Sequence, residues 1–179
     1  RLTATDAEFF NLSEKETRVA TARRERPSPT VEQITHAIKA MPAGSEIERR
    51  DRALIAITFL TGARDSAVVS LKLKHVDLDA NRVFQDARDV RTKFSKTFYT
   101  DFFPVGGSVR AVVADWVTYL RKEKLWGRRD PLFPATDVGV GPTHQFGAVG
   151  LKRAHWSSAT PMRAIFRAEA GEAAPVTSI

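Results

Sequence analysis

The stretch "LTGARDSAVVSLKLKHVDL", residues 60–78, decides how this chain reads. It begins where "RALIAITFL", residues 52–60, ends. That segment is apolar on nearly every face, as a helix enclosed by protein should be. Arg64 stands at its exit, just past Thr61, Gly62 and Ala63. A guanidinium at the end of a buried helix is costly unless an anion meets it. Within the chain, Asp65, Asp77 or the carbonyls of the helix end can serve. Otherwise the anion comes from a partner.

Upstream of the buried helix, Thr30 with Gln33 has the spacing of a capping box, and Val31, Ile34, Ile38 and Met41 recur at helical spacing until Pro42. Ser45 with Glu48 repeats the capping pattern and opens the buried helix itself. Downstream, Ser66 can cap a shorter helix over "AVVSLKL". The pattern then changes. "RVFQ", "DVRT" and "TFYTDFFPV" are rich in β-branched and aromatic residues and predict strands of a small antiparallel sheet.

Val109, Val112, Val113, Trp116, Val117 and Leu120 are spaced as one face of a long amphipathic helix, with the basic "RKEK" at its C-terminal end. Residues 125–152 hold several glycines and prolines around "PLFP" and predict a loop or irregular segment. Thr160 as cap and Pro161 at the first helical position open a last helix, in which Met162, Ile165, Phe166 and Ala170 mark the buried stripe. The expected fold class is mainly α with a small three-stranded antiparallel β-sheet.

The first 29 residues differ in character. Arg18, Arg23, Arg24 and Arg26 lead into "RPSPT", whose two prolines in three residues argue for an extended linker. Residues 1–29 are therefore expected to form an interdomain linker or tether, its arginines solvated, and residues 30–179 a domain.

With 42% hydrophobic and 27% charged residues, a chain of 179 residues suits one globular domain with a short appendage. Lys and Arg number 28 against 21 Asp and Glu, and the resulting +7 favours an anionic partner such as nucleic acid or a membrane surface. No apolar run approaches a membrane span, and no charged-then-apolar leader is present, so neither insertion nor secretion is written in the sequence. The absence of cysteine excludes disulfides, thiolate catalysis and zinc ribbons. His36, His75, His144 and His155 have no metal-ligand spacing, so no metal or other cofactor is expected.

With those residues in view, residues 60–78 resemble the first signature of the tyrosine recombinase and phage integrase family. There, a helix ends in a Thr-Gly-x-Arg turn, a short Leu-bearing helix follows, and an Asp-x-x hinge leads into a β-sheet. "DVRTKFSKTFYTDFFPV" resembles the family's β-hairpin, whose turn carries a catalytic lysine before a strand ending in a Val-Pro-Leu-like motif. The resemblance implies that Lys93 is that lysine, with Lys96 as the alternative, because the register of a hairpin is not fixed by sequence. Read without the family, either is a surface hairpin lysine. Ala67 stands where the family usually has glutamate, three residues after the arginine.

The chemistry that the resemblance implies suits these residues. An arginine neutralises charge developing on the non-bridging oxygens of a DNA phosphodiester, bidentately and without losing its proton. Arg64 would take that role, and Lys93 would donate a proton to the leaving 5′-oxygen. The family's later motif, His-x-x-Arg followed by a tyrosine nucleophile, is missing: His144 is followed three residues on by Gly147, His155 by Ser158, and His36 precedes Arg64.

In "TPMRAIFRAEAGEAA", Met162, Arg163 and Phe166 imitate part of that motif, with Thr160 where histidine belongs, which keeps Arg163 as a reserve candidate. The stretch looks more like the family helix that precedes the motif. Tyr99 and Tyr119 both lie upstream of the nucleophile's place, and each has a core or surface role available.

The expectation is an incomplete integrase-like catalytic domain over residues 30–179, inactive alone, from a protein that cuts and rejoins DNA through a phosphotyrosine. The resemblance implies double-stranded DNA as partner, no membrane, a homo-oligomer on DNA in the full-length protein, and a cytoplasmic, nucleoid-associated location. The alternative is a DNA-binding remnant or regulator that lacks the chemistry. A third reading is a helical interaction domain that uses "VVADWVTYL" as a partner surface.

Overall fold

A computed structural model describes residues 13–21, 29–140 and 144–172. The chain divides into two units, Arg1–Thr30 and Val31–Ile179. In the first, Glu14–Thr21 form helix α1, within the segment read as an extended linker. Of its arginine cluster, Arg18 is exposed, and Arg23, Arg24 and Arg26 lie outside the described residues.

The second unit is built on two long helices. Helix α2, Val31–Ala40, starts directly after Thr30 and presents Ile34 and Ile38 to the core. Helix α3, Glu46–Thr61, opens with the capping box expected from sequence: Ser45 Oγ accepts the Glu48 amide at 3.2 Å, and Glu48 Oε2 accepts the Ser45 amide at 2.7 Å. Ala53, Leu54, Ala56, Ile57 and Leu60 are buried, so the helix is enclosed as its all-round apolarity required.

Helix α4, Asp65–Val68, is a single turn. Its N-cap position is Arg64 rather than Ser66, because the Asp65 carboxylate engages the Ser66 amide at 2.6 Å and draws Ser66 into the turn. The helix expected through Leu73 stops early, since Leu71 and Leu73 bond to the backbone of Leu132 and Asp130 instead.

Helix α5, Gly107–Lys122, buries Val109, Val113, Trp116, Val117 and Leu120 against the core, as its spacing demanded, and ends on the basic Arg121 and Lys122. Helix α6, Thr160–Glu172, buries Met162, with Ile165 and Phe166 packed against the core. Thr160 lies inside this helix and not before it; its amide is accepted by Ser158 Oγ at 3.3 Å. The Ala170 side chain lies outside the described residues.

Strands β1 (Val76–Asp77), β2 (Arg82–Gln85) and β3 (Phe98–Asp101) form an antiparallel sheet in that order, with Val76 opposite Val83 and Val83 opposite Thr100. "DVRT" is not a strand. The Asp86 carbonyl accepts the amides of both Asp89 and Val90, which curls the chain, and the Arg91 amide goes to Ser70 Oγ rather than to a neighbouring strand. Residues 86–97 are thus a long connection between β2 and β3.

Residues 125–152 also differ from expectation. Strands β4 (Pro134–Val140) and β5 (Phe146–His155) pair antiparallel, with register shifts absorbing the irregular sequence. Glycine here allows close approach: a Cβ on Gly150 would lie 2.9 Å from Glu46 Oε1, which accepts the Leu151 amide at 2.9 Å. Among the described residues the fold is six α-helices, the three-stranded sheet and this hairpin, the mainly helical class expected.

Candidate nucleic-acid interface

The exit of α3 places Arg64. Gly62 adopts φ 58°, a left-handed conformation that suits glycine, and returns its amide to the Thr58 carbonyl at 2.8 Å. The chain then extends through Arg64, at φ −67° and ψ 147°, before α4 begins. The Arg64 carbonyl accepts the amides of Ala67 and Val68, each at 2.9 Å. Its side chain is exposed and, among the described residues, has no hydrogen-bond or carboxylate partner.

Both intramolecular carboxylates proposed for Arg64 are committed elsewhere. Asp65 accepts Nε of Arg163 at 2.7 Å, and this hydrogen bond, with help from Ser66, holds its carboxyl below the usual carboxylate range. Asp77 accepts the Ala80 amide and lies 3.8 Å from Arg82 Nε.

Arg64 lines an open cavity of about 350 Å³ together with Arg91, Lys93 and Lys96. Gln85, Phe94 and Phe98 also face it, Ala67 contributes only a methyl group, and no carboxylate is among its lining residues. The structure therefore brings Arg64, Lys93 and Lys96 together from separate parts of the sequence. Lys93 opens a 3₁₀ turn, Lys93–Ser95, and its ammonium lies 4.7 Å from the centre of the Phe94 ring. Lys96 closes that turn, its amide 3.4 Å from the Lys93 carbonyl.

Arg91 is a cavity residue that the sequence reading missed. Its guanidinium donates to the carbonyls of Trp156 and Ser157, each at 2.9 Å. Neutral acceptors fix its position without cancelling its charge. Only its place beside Lys93 in a basic segment could have drawn attention to it.

The connection carrying these cations is anchored at its base. Asp89 receives the ammonium groups of both Lys72 and Lys74, which push its carboxyl far below the usual range. Beneath them His75, 1% exposed, accepts the Lys72 amide on Nδ1 at 2.9 Å, with Nε2 3.7 Å from Asp89 Oδ2. Burial pushes the His75 pKa down to about 4.

Arg163 lies on α6, outside the cavity lining, in its ion pair with Asp65. Neither tyrosine lines the cavity: the Tyr99 ring lies 4.7 Å from that of Phe84, and the Tyr119 hydroxyl donates to Glu46 Oε2 at 3.0 Å. His155 Nδ1 is 3.2 Å from the Val69 carbonyl, and burial pushes its pKa down. Among the described residues no group of His, Cys, Asp and Glu could hold a metal ion, and no helix is long and apolar enough to cross a membrane.

No family model matches this chain, and no curated protein matches it either. Among solved structures it is similar to the crystal structure of XerA recombinase, at a TM-score of 0.48 and 17% identity, over 88% of this chain and 47% of that one. The chain thus spans about half the length of the structure it matches. The likeness to a recombinase is coarse.

Proposed function

We propose that the Arg64 cavity binds a backbone phosphate of double-stranded DNA, and that the chain is part of a site-specific tyrosine recombinase acting in DNA integration and recombination. The observation that carries this reading is the convergence of Arg64, Arg91, Lys93 and Lys96 on one cavity without a carboxylate. Uncompensated like charges brought together call for an anion, and a phosphodiester suits a guanidinium fork.

In the reaction, a tyrosine hydroxyl loses its proton to solvent as its oxygen bonds to phosphorus, and the bond to the 5′-oxygen breaks. Arg64 stabilises the charge on the non-bridging oxygens, and Lys93 or Lys96 protonates the leaving oxygen. The attacking hydroxyl in this reading is not Tyr99 or Tyr119, which face other partners. Assembly of several copies on DNA belongs to the same proposal.

A salt titration tests the phosphate contact. For a labelled duplex, log K falls linearly with log salt, with a slope of about −0.9 for each phosphate neutralised. Arg64→Ala should make that slope shallower by about 0.9, and Lys93→Ala should act likewise. Arg121→Ala, an exposed cation on α5 away from the cavity, is the control. If Arg64→Ala behaves like Arg121→Ala, the reading is wrong.

A non-catalytic DNA-binding role is the second reading, favoured by the placement of both tyrosines outside the cavity. A denaturant-stable protein–DNA adduct formed by the full-length protein on nicked duplexes separates the two: adduct formation requires the recombinase, and its absence from the full-length protein alongside Arg64-dependent binding supports the regulator.

A further inference from the structure

Two aromatic rings stand among the cavity's cations, and the proposed phosphate chemistry uses neither. Phe94 is 77% exposed and Phe98 43% exposed, and both line the cavity. Phe94 also holds φ 57° and ψ 26°, followed by Ser95 at φ 51°. A bulky side chain rarely adopts this left-handed conformation, and such strain concentrates at functional positions. The turn thus projects an apolar ring into water beside a bank of positive charge, with the Lys93 ammonium 4.7 Å from the ring centre.

Cations interleaved with exposed aromatic rings match nucleic acid on both of its chemistries. Phosphates meet the cations, and each base offers a π-face for stacking whatever its identity. In an intact duplex those faces are covered by neighbouring base pairs. A ring can reach one only where the stack is open.

We propose that Phe94, assisted by Phe98, is a stacking platform for an unpaired nucleobase adjacent to the phosphate held at Arg64. The proposal rests on the phosphate-binding reading above and adds a preference: DNA with an unpaired base at that point is favoured over fully paired DNA.

The test is a titration of the 179-residue chain with two labelled DNAs of one sequence, an intact duplex and a duplex with a short single-stranded gap. The unaltered protein should bind the gapped DNA more tightly. Phe94→Ala should weaken gapped binding by roughly 5- to 150-fold, the range for loss of one base–aromatic stack, and leave the intact duplex unchanged. Phe94→Trp should restore the preference, whereas Phe94→Leu, apolar but without a π-face, should not.

Equal affinity of the unaltered protein for the two DNAs, or a loss in Phe94→Ala shared equally between them, overturns the platform. Arg64→Ala on the same DNAs separates the two readings. An unchanged salt slope there refutes the phosphate site, whereas an Arg64-dependent slope with no gap preference refutes only the stacking. Because Phe94 is exposed, a thermal melt of each variant should match the unaltered chain.

Discussion

His75 gives a pH dependence of stability that can be worked out from its surroundings. Its ring is buried, its Nδ1 accepts the Lys72 amide, and Lys72 and Lys74 place positive charge nearby, partly offset by Asp89 and Asp86. Folding therefore lowers its pKa from 6.5 to about 4. A histidine depressed in this way is neutral when folded and takes up a proton on unfolding below its ordinary pKa. Stability is fully present above about pH 6.5 and is lost as the pH falls towards 4.

Between pH 7 and 5, with 1.36 kcal/mol per pKa unit, this single group removes about 2 kcal/mol. That window lies above the range in which Asp and Glu titrate ordinarily, and Asp51, whose carboxyl burial pushes up, works in the opposite sense by favouring the folded state as the pH falls. His155 is shifted the same way by burial and adds to the effect. The assay is urea unfolding at half-unit pH steps, read by the fluorescence of the buried Trp116, Trp126 and Trp156. His75→Asn can keep an acceptor for the Lys72 amide but cannot be protonated, so the loss should shrink by about 2 kcal/mol even if the variant starts from lower stability. An unchanged loss in His75→Asn would refute the assignment.

Two further outcomes follow from the anchors of the site. Ser45→Ala removes one arm of the α3 capping box and should cost about 1 kcal/mol, seen as a lower urea midpoint at constant slope. Asp89→Asn removes a negative charge, which by electrostatics alone would tighten binding to DNA. Because Asp89 ties the 86–97 connection to Lys72 and Lys74, binding should instead weaken, and tighter binding in the same titration would refute the anchoring role.

The helices were legible because their signals are local. The box at Ser45 and Glu48 and the spacing from Val109 to Leu120 each specify one conformation within a few residues. The strands were less so. "DVRT" has strand composition, but the carbonyl of Asp86 captures its first two amides, those of Asp89 and Val90, and Ser70, distant in sequence, captures a third. The β4–β5 hairpin was hidden by glycines that mark turns in most contexts and here let the strand pass close to Glu46. Of the cavity, Arg64, Lys93 and Lys96 were legible through their motifs. Arg91 was not, because its position depends on the carbonyls of Trp156 and Ser157, more than sixty residues away.

The arginine at the exit of α3 raised a choice between a partner inside the chain and one outside it, and the neighbouring contacts explain why the inside choice is not taken. Asp65 follows Arg64 directly and would be its nearest counterion. Arg163, arriving on α6, takes that carboxylate, and Ser66 takes what remains of it. Had Asp65 paired with Arg64, an incoming phosphate would have to displace a carboxylate and leave it unpartnered beside its own negative charge, a repulsion that the present arrangement avoids. Arg91 works by the same logic, since carbonyl partners hold it in place without neutralising it. Elsewhere cations meet carboxylates, as in Arg153 with Asp130, Lys124 with Glu46 and Arg88 with Asp86. Arg163 therefore acts on the cavity without entering it, because by occupying Asp65 it leaves Arg64, among the described residues, without a counterion and available.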